Sequence, residues 1–204
     1  MAKKKIMVLA LVLILGSILA LQLSLLTYKP VLENNQLEPE KVFVEPSWAH
    51  WYPDFESLME DFDLVTMGKV VKSKLNQENE EFTLHDFLVL EVIKDSNNEV
   101  KREDTITVKQ FGGIWTPKGD STPVQVEFRD SPLMKEGETS LLFLNRRSDG
   151  MYAGISPQTR FIVDDDKVYW LGAVYEDREI QVSKNLQIEG MELKETISQL
   201  RQLQ

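Results

Sequence analysis

Cysteine is absent from all 204 residues, which excludes disulfides, thiolate metal sites, cysteine nucleophiles and a lipidated N-terminal cysteine. Stability has to come from packing. Histidine occurs only as His50 and His85, and Gly-x-Ser-x-Gly, His-Glu-x-x-His and phosphate-cradling glycine loops are all missing. Hydrolytic catalysis therefore has little to build on. No Asn-x-Ser/Thr acceptor occurs, which together with the lack of cysteine favours a bacterial cell-envelope protein over a eukaryotic secreted one. Basic residues are outnumbered 23 to 33, for a formal charge of -10, so nucleic acid is not an expected partner. An anionic surface attracts cations or basic proteins instead. No repeat of fixed period and no low-complexity block is present.

What the chain does have begins with a long apolar run. Ile6 to Leu26 follows Lys3, Lys4 and Lys5 and is interrupted only by Gly16, Ser17, Gln22 and Ser24. It is long enough to span a bilayer, and the lysines hold the N-terminus on the cytoplasmic side, so everything beyond Tyr28 is expected outside the cell. Residues 1–28 are read as a signal anchor with one transmembrane helix, at the cell membrane. Cleavage as a signal peptide is the alternative, although Ile18-Leu19-Ala20 lacks a small residue at its first position. Residues 29–46, with Pro30, Pro39, Pro46 and scattered acidic side chains, read as a tether. Fully extended it reaches about 60 Å.

Residues 47–204 are expected to form one mainly β domain. Trp48, Trp51 and Tyr52 are expected to pack against an end of it. Asp54 is a helix N-cap before Phe55, Leu58, Met59 and Phe62, which share one helical face. Strands are expected at 64–73, 82–93, 105–111, 124–128, 139–145, 151–155, 160–163 and 167–171, separated by polar turns such as Asp95-Ser96-Asn97-Asn98. Gly112 to Pro123 reads as a long loop, and Leu193, Ile197, Leu200 and Leu203 make the stripe of a C-terminal packing helix. About seven strands, or eight if the shortest run counts, spaced by turns point to a small antiparallel barrel or sandwich rather than to βαβ units.

The segments "DLVTMGKVV", "FLVLEVIKD", "DTITVKQFGG", "PLMKEGETSLLFLN" and "SPQTRFIVDDDKVY" together resemble a group of uncharacterised extracytoplasmic domains of Gram-positive bacteria. The resemblance covers roughly Leu58 to Leu203. It implies a small antiparallel OB-like barrel similar to the netrin or metalloprotease-inhibitor fold. The inhibitors of that fold insert a cysteine-bearing N-terminus into their protease, a device closed to this chain, and the resemblance assigns no functional residue here.

Three candidate sites remain. Phe111, Trp115, Gln158 and Arg160 would form a binding surface if the barrel mouth brings them together. Asp164, Asp165 and Asp166 supply three oxygen ligands within one turn, a start towards a calcium site, but they lack the Asp-x-Asp-x-Asp-Gly form and read first as hairpin-turn chemistry. His85 shares a strand face with Thr83 and Phe87 and reads as a surface or rim histidine, with Asp86 pointing the other way. No cofactor is expected. The leading expectation is a non-enzymatic envelope module that binds a protein or peptide. The alternatives are an inhibitor or regulator of an envelope protease and a hydrolase using His85.

Overall fold

The computed structural model describes residues 39–76, 81–116 and 122–204. The expected anchor at 6–26, and the tether up to residue 38, lie outside these residues. Among the described residues no helix is long and apolar enough to cross a membrane.

In chain order the elements are β1 (Glu40–Val44), α1 (Phe55–Asp61), β2 (Leu64–Leu75), β3 (Phe82–Asp95), β4 (Thr105–Phe111), β5 (Gly113–Trp115) and β6 (Val124–Phe128). There follow β7 (Thr139–Arg146), β8 (Tyr152–Ala153), β9 (Arg160–Asp164), β10 (Lys167–Trp170), α2 (Leu171–Val174), β11 (Glu189–Glu192) and α3 (Leu193–Gln202). The molecule is mainly β with few helices. β7, β2, β3, β4 and β8 run side by side, and β8 pairs back onto β7, so five strands close a small barrel consistent with an OB-like one. Closure is completed by the parallel pairing of Val108 with Tyr152 and the antiparallel pairing of Asn145 with Ala153. The other half of that edge of β7 takes β9, from which β10 and β11 continue outward. A separate three-stranded sheet, β1-β6-β5, completes the strands.

β7 explains why Leu141-Leu142-Phe143-Leu144 reads as a continuous apolar run. All four are wholly buried, because Leu142 and Leu144 face the barrel interior while Leu141 and Phe143 face an outer layer built with α1, β9, β10 and α3. α1 starts where expected: the Asp54 carboxylate accepts from Ser57 N at 3.0 Å and Ser57 Oγ at 2.7 Å, an arrangement that lowers its pKa. Its far end is held by Lys94, whose ammonium donates to the carbonyls of Met59 and Phe62. In α3 Ile197 and Leu200 are buried but Leu203 is 40% exposed, so the apolar stripe ends one turn early.

Three strands were not expected from the sequence, and a fourth, β8, is shorter than expected. Residues 40–44, within the stretch read as tether, pair in parallel with β6, Val42 opposite Val126. β5 falls in the stretch read as loop, β11 spans residues before the C-terminal helix, and of 151–155 only Tyr152 and Ala153 are paired. All are short, and β1 finds its partner some eighty residues away, a separation invisible to local pattern.

Two long strands can wrap a narrow barrel only by bending. β2 does so with three register shifts against β3, one of them between Met67 and Gly68. A Cβ at Gly68 would collide with the carbonyl of Leu88 and the ring of Phe87, so the strand passes this close only because a hydrogen stands there. Gly68→Ala is expected to cost about 1–3 kcal/mol of stability, read as a lowered urea midpoint with an unchanged slope.

Candidate functional site

Two surfaces arise from the β1-β6-β5 sheet, one on each face. On the outward face Val42, Val44, Phe111, Trp115 and Val126 line an apolar groove of about 240 Å³, with Glu81 and Gly113 also at its wall. Phe111 closes β4, and Gly112, at φ 113°, turns the chain directly into β5, which sets Phe111 and Trp115 on the same groove. Phe111 stacks on Phe128 with centroids 4.3 Å apart, and Trp48 meets Phe128 edge-on at 5.4 Å while its Nε1 donates to Asp130 Oδ2 at 2.7 Å. Part of the aromatic segment before α1 therefore does pack on the domain. Val42 and Trp115 stay 39% and 44% exposed.

The segment 129–138 straps across one end of the barrel. Arg160, wholly buried, grips the Glu138 carboxylate through Nη2 at 2.8 Å from each oxygen and through Nε at 3.1 Å, and donates from Nη1 to the Pro132 carbonyl. Ser140 Oγ adds a hydrogen bond to Glu138 at 2.7 Å. Gln110, also buried, donates to Pro132 O at 3.0 Å and accepts from Met134 N at 3.0 Å. Glu127 accepts from Leu133 N at 3.1 Å and pairs with Arg178 at 3.2 Å, and Arg178 in turn donates to Arg129 O at 3.0 Å. The strap is thus fastened at Arg129, Pro132, Leu133, Met134 and Glu138 by charged or amide side chains.

His85 lies beneath the strap rather than on the surface or rim. It shares the inward face of β3 with Thr83 and Phe87, as expected, but in a closed barrel that face is the interior, and the ring is wholly buried. Asp86 points outward and pairs with Lys74 at 3.8 Å. His85 Nδ1 is 2.8 Å from Ser73 Oγ, and Nε2 has no hydrogen-bond partner. Burial first, and then the Arg160 cation, push its pKa down from 6.5 to about 4. A serine–histidine contact invites comparison with a nucleophile and its base, but no carboxylate engages the second ring nitrogen to orient the ring.

The four residues expected to share one surface divide in two. Phe111 and Trp115 meet at the groove, whereas Gln158 and Arg160 are turned inward, 1% and 0% exposed. Gln158 ties down the aromatic segment, accepting from Tyr52 N at 2.8 Å and donating to His50 O at 3.3 Å. Asp164, Asp165 and Asp166 form the β9–β10 turn, the last two at φ 47° and 59°, values suited to a two-residue hairpin loop. Among the described residues no cluster of three His, Asp or Glu side chains is placed to hold a metal ion.

Glu138→Gln is expected to cost about 3–5 kcal/mol, because it leaves a buried guanidinium uncompensated; chemical denaturation measures it. His85 makes the fold acid-sensitive. The folded pKa of about 4 lies below the unfolded 6.5, so stability is complete above pH 6.5 and falls as the pH drops towards 4, by about 3 kcal/mol. His85→Asn should flatten that part of the stability–pH curve. No protein-family model and no curated protein matches the chain.

Proposed function

We propose that this chain is a non-catalytic binding module held outside the cell membrane through residues 6–26, and that its groove takes an extended segment of a partner protein. The observation that supports the reading is the exposed apolar groove of Val42, Val44, Phe111, Trp115 and Val126 on a sheet whose outer strands, β1 and β5, pair with other described strands on one side only. An unpaired edge beside an apolar groove suits an added strand: main-chain hydrogen bonds supply affinity and alternate side chains enter the groove. Trp115 is the kind of rigid aromatic on which binding energy concentrates. The net charge of -10, with Glu40 in β1, favours a partner segment that alternates apolar with basic residues. The membrane part of the reading rests on the apolar run that follows Lys3, Lys4 and Lys5.

The hydrolase alternative draws less support, since His85 is buried, held as a neutral ring and lacks a carboxylate partner on Nε2. Protease inhibition is one form the binding reading can take, but it would have to use the groove rather than a cysteine-bearing N-terminus.

Selection of displayed random peptides against the full chain in detergent tests the reading. Enrichment of alternating apolar and basic sequences is expected, with binding weakened about tenfold or more by Trp115→Ala and by Val42→Asp. No enriched pattern, or binding that ignores both changes, would count against it.

A further inference from the structure

The inward face of β1 and β6 bounds a second cleft, of about 280 Å³, between the strap and the β2–β3 end of the barrel. Its chemistry is the reverse of the outer groove. Lys41, Lys135 and Arg178 line it, together with Ser73, Tyr175 and Gln125. One carboxylate, Glu127, lies in its wall, and that charge is already matched by Arg178 and by Leu133 N. Arg178 is fixed in place by Phe128 O, Arg129 O and the faces of Phe43 and Tyr175, both about 5 to 6 Å from its guanidinium.

The two lysines are different. Among the described residues neither Lys41 nor Lys135 has a carboxylate within ion-pair distance, although acidic groups outnumber basic ones in the chain. Lys135 instead sits 5.6 Å from the Tyr175 ring centroid, and the nearby Glu136 is turned onto Ser73 N at 2.8 Å. Two exposed ammonium groups without carboxylate partners stand at this cleft beside a guanidinium that Glu127 matches, and they leave it locally cationic in an otherwise anionic chain. At its floor lies His85, buried, with Nδ1 bonded to the Ser73 hydroxyl.

We propose that this cleft holds the phosphate group of a small anionic ligand. Lysine acts on phosphate as a point charge, and the hydroxyls and the Gln125 amide supply neutral donors around a tetrahedral oxyanion. Lys41 comes from β1 and Lys135 from the strap, so the ligand would add a second link between two segments already joined where Arg129 N donates to Val44 O. The site is independent of the peptide groove, which uses the opposite face of the same strands.

Titration calorimetry of the full chain in detergent, at constant ionic strength in chloride, tests this with three probes: inorganic phosphate, glycerol 3-phosphate and acetate. Saturable binding of one phosphate probe per chain is expected, with acetate much weaker. Lys41→Gln and Lys135→Gln should each weaken it about tenfold, the loss of one charge-assisted hydrogen bond, while Lys167→Gln on β10 and Trp115→Ala leave it unchanged. Tighter binding of glycerol 3-phosphate than of the free ion would support an esterified ligand, and the reverse order would support the ion alone. Absence of saturable heat overturns the proposal, as does binding indifferent to both lysines, and equal binding of acetate overturns the assignment to phosphate. Loss of peptide binding in Trp115→Ala with phosphate binding intact separates the two surfaces.

Discussion

A guanidinium with no access to water governs the arrangement of one whole end of this barrel. Removing the Arg160 charge from solvent is expensive, and the cost is offset only if an anion and further acceptors are fixed around it. Glu138 supplies the anion at the start of β7, and Ser140 orients it. The Pro132 carbonyl supplies the next acceptor, which forces the strap to cross the barrel end at one height, where Gln110 binds the same carbonyl. Burial under the strap, and secondarily the Arg160 charge, keep His85 neutral. The course of the strap over the buried histidine thus answers in large part to one buried charge.

The parts legible in the sequence are those in which a local pattern and a tertiary role coincide. β2, β3, β4, β6, β7, β9 and β10 were readable because alternation or an unbroken apolar run survives in a barrel that is packed on one or both faces. The Asp54 cap and the Asp165-Asp166 turn were readable because both depend on neighbours in sequence. His85 and Arg160 were not. Polar and charged side chains in strands are read as exposed, and nothing local announces that Glu138, twenty-two residues before Arg160, will enter the same interior. The candidate surface was half legible for the same reason. Phe111 and Trp115 are four positions apart and joined by a glycine turn, whereas Gln158 and Arg160 answer to partners in the aromatic segment and the strap.

The small sheet divides two chemistries between its faces by simple alternation. Along β1, Val42 and Val44 face the apolar groove while Lys41 faces the cationic cleft; along β6, Val126 and Glu127 divide in the same way. A shift of one residue in the β1–β6 register would exchange them, putting lysine in the groove and valine in the cleft. Both surfaces therefore depend on the pairing of Val42 with Val126.

That pairing also fixes how the domain responds to mechanical load. β1 runs parallel to β6 and is the first described strand of the chain. Tension arriving from residues before Glu40 and directed along the strand axis acts on the β1–β6 ladder in shear, so its hydrogen bonds share the force and give way together rather than one at a time. A pull across the strand would peel them singly at much lower force. Detachment of β1 would take Val42, Val44 and Lys41 with it, and the groove and the cleft would be dismantled in the same event.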